Sequence, residues 1–149
     1  MRKSMAVFIA LAVLAAGGAA WAATTTVAVS ASVVGTCQFN NTGSIPFGTL
    51  NQVTAPQVTP IVNQPTFWCT KNSAYTITHD AGLNPVMTGA TVGNTDTIPY
   101  NFDIGTSSGN GAGKSAPITM TIAASIDAGT YSDVSADTYG HTVTLTINP

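Results

Sequence analysis

Few side chains in this sequence are suited to chemistry, and their spacing sorts them. The two histidines, His79 and His141, lack metal-ligating neighbours at the short spacings that build a metal centre, so no metal is expected. His79 and Asp80 are adjacent, but neighbours on a strand point to opposite faces, so the pair reads as a surface histidine before a turn. All six acidic residues are aspartates, and no spacing singles out a catalytic pair. There is no Gly-x-Ser-x-Gly elbow to carry a nucleophile. The stretch 105–114, GTSSGNGAGK, lacks the lysine spacing of a phosphate loop and has no helix after it, so it reads as a solvent loop. Trp68 and Tyr75 offer rings that could stack on a sugar; beside Cys69, a tryptophan buried or packed on a disulfide is the more ordinary reading. No catalytic residue and no cofactor are expected.

The two cysteines, Cys37 and Cys69, are the remaining reactive groups. They lack the paired spacing of a zinc site. An even count in an exported chain implies one disulfide. A loop of about 33 residues closed in this way stabilises the fold by roughly 3–4 kcal/mol on the chain-entropy estimate.

Export is read from the first 22 residues. Arg2 and Lys3 give a positive start, 5–16 an apolar middle, and Ala20-Trp21-Ala22 small residues at the two places a signal peptidase reads. The strongly apolar part ends at Leu14, short of the about 20 residues a membrane span needs, so no stable anchor is expected after cleavage. Removing 22 of the 149 residues leaves 127, enough for one domain with one core. Cleavage leaves Lys71 and Lys114 against six aspartates, a net charge of −4 that argues against a nucleic-acid or anionic-membrane surface. So few charges suit a subunit whose surface is partly covered by neighbours.

The 24 threonines, with 14 glycines and 8 prolines as punctuation, point to an all-β chain. Tyr75 and Ile77 alternate with threonines, as do Ile118, Met120 and Ile122, and Val143, Leu145 and Ile147; Tyr100, Phe102 and Ile104 alternate with Asn101 and Asp103. Each run reads as a half-buried antiparallel strand. Shorter candidates lie at 36–39, 44–47, 57–62 and 66–70. Turns fall at 40–43, 80–82 and 93–96, with 105–114 as the longest and most flexible. Strands at this spacing suggest an immunoglobulin-like sandwich. There is no internal repeat and no domain linker.

Residues 24–34, TTTVAVSASVV, are set apart by their position between leader and first cysteine. Val27, Val29, Ala31 and Val33 would share one face of an extended strand, with Ala28, Ser30 and Ser32 on the other. Such a strand at a free terminus either pairs within its own sheet or completes the sheet of another molecule. Burial of three valines does not by itself offset the cost of ordering some ten residues, so the segment needs hydrogen-bond ladders on both sides.

GTC at 35–37, FGT at 47–49 and FWCTKNSAYTITHDAG at 67–82 together resemble the spore coat protein U type of domain, the subunit domain of archaic chaperone–usher pili. Pro99-Tyr100-Asn101-Phe102 is similar to that family's Tyr-Asn strand, and Ala128-Gly129-Thr130-Tyr131-Ser132-Asp133 to its Ala-Gly-x-Tyr-x-Asp signature. There are two departures. Residues 134–140, VSADTYG, intervene before the last strand, and the Gly/Ser-rich loop stands where the family often has Trp-Gly.

The resemblance implies an incomplete immunoglobulin-like antiparallel sandwich completed by donor-strand exchange. It divides the chain into a signal peptide at 1–22, a donor segment at 23–35 and a pilin domain at 36–149. Val27, Val29, Ala31 and Val33 become the groove-filling set. Val143, Leu145 and Ile147 line the acceptor groove, which is bordered by the strand after Cys37 and the last strand. The disulfide ties the first strand to the second. Implied partners are further copies of the chain, a periplasmic chaperone and an outer-membrane usher. The product is an extracellular fimbrium on a Gram-negative surface, supporting adhesion and biofilm formation. The rival readings are a spore or cell-surface coat component, or a carbohydrate-binding adhesin module, of the same domain family.

Overall fold

The computed structural model describes residues 21–105 and 107–149. The expected leader lies outside the described residues up to position 20. Among the described residues, no helix is long and apolar enough to cross a membrane. The chain divides into Met1–Ser32 and Val33–Pro149, and the second unit holds every strand of the described residues.

The fold is all-β, with antiparallel pairing throughout, as in an immunoglobulin-like sandwich. In one sheet β1 (Cys37–Phe39) pairs with β2 (Thr66–Cys69), which pairs with β8 (Ile118–Thr119). In a second, β3 (Ala74–His79) lies between β7 (Ser108–Asn110) and β11 (Leu145–Asn148). A third sets β4 (Val86–Gly89) between β5 (Thr97–Pro99) and β10 (Tyr139–Gly140), and β6 (Asn101–Ile104) pairs with β9 (Ile122–Ser125). Period-two alternation decides which side chains are inside. Phe67 and Cys69 of β2 pack with Tyr75 and Ile77 of β3 and with Met120 and Ile122. A second cluster gathers Met87, Ile98, Tyr100, Ile126 and Tyr131, and Phe102 packs against both.

Several sequence expectations are corrected. The loop expected at 105–114 contains β7, because Ser108, Gly109 and Asn110 complete the edge of β3. Gly109 is required there: a Cβ would sit 2.7 Å from the Tyr75 hydroxyl. The single strand expected over 118–122 is broken between β8 and β9, each half pairing with a different strand. The candidates at 44–47 and 57–62 hold only isolated bridges, Ser44 to Asn63 and Val58 to Ile126. Trp68 is neither buried nor against the disulfide; it alternates outward from Phe67 and Cys69, half-buried, with the Lys114 ammonium 5.7 Å from its ring. His79 is not a surface side chain. It continues the inward row of Tyr75 and Ile77 and meets the Phe102 ring edge-on, with centroids 5.0 Å apart.

Candidate functional site

The disulfide joins Cys37 and Cys69, which face each other across the β1–β2 ladder with Cα atoms 4.1 Å apart. It fixes β1 to the sheet from one side only, since among the described residues β1 has no partner on its outer edge. β11 is also an edge strand: Leu145 to Asn148 pair with His79 to Thr76, and among the described residues the other edge carries no ladder.

These two free edges converge at one end, and a cleft opens further along. A Cβ on Gly35 would lie 3.9 Å from Pro149, so the chain entering β1 meets the end of β11 there. Further along, Ile45, Phe47, Val143 and Leu145 line one open cavity of about 380 Å³. The two borders therefore run antiparallel to each other. A strand inserted between them would be parallel to one and antiparallel to the other. Met87, Tyr100, Phe102 and Ile122 also line the cavity, a mainly apolar surface of the kind a β-strand's side chains can fill. Of the residues read from sequence, Val143 and Leu145 line this cavity. Ile147 packs against the core cluster of Phe67, Tyr75 and Ile77, at the end where β1 and β11 converge. All three are only partly buried.

Sequence reading missed Tyr100 and His141 as a pair at this site. Tyr100 Oη and His141 Nδ1 are hydrogen-bonded at 2.7 Å, and their rings meet edge-on. Burial, and then the charge of Asp80, push the Tyr100 phenol above its ordinary pKa. It stays protonated at neutral pH. Asp80 is held below the usual carboxylate range, first by the Thr144 backbone amide, which donates to it at 2.7 Å. Tyr139 of β10, a strand also missed, lines both this cavity and a second of about 780 Å³ lined by 47–53 and 134–139. Two-residue strands carry too short a pattern to be read.

The wall beyond Tyr139 is held by polar bonds. Asp137 accepts from Asn94 Nδ2 at 2.7 Å, from Thr91 N and Oγ1 at 2.9 Å and from Thr138 N at 2.7 Å. These donors, Asn94 foremost, lower its pKa to about 2. Ser135 Oγ and N donate to Asp96 at 2.6 and 2.8 Å and depress that carboxyl too. Each of these acids thereby serves as a clamp between the 90–96 turn and the stretch before β10.

The segment 24–34 forms neither helix nor strand, and its side chains are exposed: Val27 by 81%, Val29 by 92% and Val33 by 84%. Ala31 is exposed as well. Among the described residues, no group of three metal-ligating side chains converges.

No curated protein matches the chain. The family model of the Spore Coat Protein U domain matches residues 23–146, spanning the exposed segment, both borders of the cleft and the disulfide. The chain belongs to the Spore Coat Protein U domain family, a family of structural surface proteins that includes pilin-like subunits.

Proposed function

We propose that this chain is a structural subunit of an extracellular chaperone–usher pilus, and that it polymerises by lending 24–34 to the cleft of another copy. The observation that carries the reading is a matched pair of deficits. An apolar cleft opens beside two strands whose outer edges carry no ladder among the described residues, and an exposed segment with alternating apolar side chains has no ladder of its own. Val27, Val29, Ala31 and Val33 would fill the cleft, against Val143 and Leu145 and toward Ile147. A periplasmic chaperone would cover the cleft before export, and an outer-membrane usher would exchange it for the next subunit. The leader at 1–22 would be removed on the way, leaving 23–35 as donor and 36–149 as acceptor domain.

The test is electron microscopy of surface filaments, with mass spectrometry identifying this chain in them. Val29→Asp would bury an unpaired charge and abolish filaments while the domain still folds. Normal filaments from that variant would exclude 24–34 as the donor.

A further inference from the structure

Charge is distributed unevenly along the domain. Lys71 and Lys114 are the only lysines among the described residues, and both sit at one end. Lys71 lies in the turn before β3; Gly113, next to Lys114, donates its amide to Cys69 O, and a Cβ on Gly113 would meet Lys71 Cβ at 3.8 Å. The chain enters the domain at this same end, where Thr36 and Thr70 are hydrogen-bonded. Asp80 stands at the other end of β3, across a strand of about 20 Å. Asp96 and Asp137 lie further on, beyond Tyr139, with the fully exposed Val92 in the turn between their partners.

The inference rests on the strand-donation reading. Only Val34 and Gly35 separate Val33 from Thr36, which is docked on its own domain. Three residues reach about 10 Å. A donor seated in a neighbour's cleft therefore brings its own lysine end to within about one Debye length of the cleft's end. A donor running parallel to β11 would set lysines against lysines. A donor running antiparallel to β11 would end beside His141 and Gly140, on the aspartate side. We propose that consecutive copies meet through this charge match: Lys71 and Lys114 of one copy face Asp80, Asp96 and Asp137 of the next.

Zero-length carbodiimide cross-linking of fibres assembled from equal parts of isotopically light and heavy mature chain tests this directly. Within one copy the two ends are too far apart to be joined. Mixed-isotope peptides linking Lys71 or Lys114 to Asp80, Asp96 or Asp137 are the expected result. Fibres whose lysines link only to Asp103 or Asp127, or to no aspartate, would overturn the charge match and leave strand donation standing. Fibres that form equally well from a chain lacking 24–34 would overturn both. In a second measurement at about 0.15 M salt, where whole-body repulsion is screened, K71Q/K114Q should slow elongation about fivefold. T54D/T59D makes the same change in net charge at exposed loop positions and should stay within about twofold of the unmodified chain. Equal rates for the two variants would sink the proposal.

Discussion

Tyr131 shows how one residue of a short signature acts. It is fully buried, and its hydroxyl donates to Pro56 O at 2.8 Å, pinning the 51–57 stretch to the second core. Tyr131→Phe keeps the ring and leaves that carbonyl unpaired, so it should cost about 1–2 kcal/mol in denaturant titration. Asp137 makes the residue-scale prediction for pH. Its folded pKa of about 2 lies below its ordinary 3.8, so its contribution is complete above pH 3.8 and is lost as pH falls toward 2. Asp96 and Asp80 are depressed in the same direction and add to the acid sensitivity. Thermal melts of Asp137→Asn should lie below those of the unmodified chain at neutral pH, and the gap should close between pH 4 and pH 2. A gap that stays constant with pH would mean the clamp is not ionic.

At the scale of elements, the two unpaired edges invite a direct measurement. On the proposed reading, a chain lacking 24–34 keeps the cleft but has nothing to donate. A synthetic peptide of those residues should raise its melting temperature in proportion to the logarithm of peptide concentration. The same peptide carrying Asp in place of Val29 should leave the melting temperature unchanged. Legibility in the sequence followed element length. The inward rows of β3 and β6 and the row ending in β11 were readable because apolar residues alternate with polar ones in each, two in the first and three in the others. The β1–β2 disulfide followed from the cysteine count. β7 was hidden because Ser-Gly-Asn is turn chemistry, which the edge of β3 overrides. The break after β8 was hidden because Met120 keeps the alternation, and its 1% exposure shows that burial persists where the pairing changes. His79 was misjudged since the Asp80 turn signal outweighed the inward row to which its ring belongs. The borders of the cleft were named from family likeness, whereas its lining by Tyr139 and the Tyr100–His141 bond arise from contacts between distant parts of the chain.

For the whole molecule, one placement has a mechanical consequence. Cys37 is the first residue of the first strand, so a pull on the amino-terminal tether reaches the S–S bond almost at once and crosses to Cys69. The intervening stretch, with Ile45 and Phe47 of the cleft wall, carries no load. Single-molecule stretching between the chain ends should therefore release about 110 Å less length in the oxidised protein than after reduction, from a separation of 32 residues. In the proposed filament, tension arriving through a subunit's own amino-terminal tether would cross at the disulfide and bypass that wall.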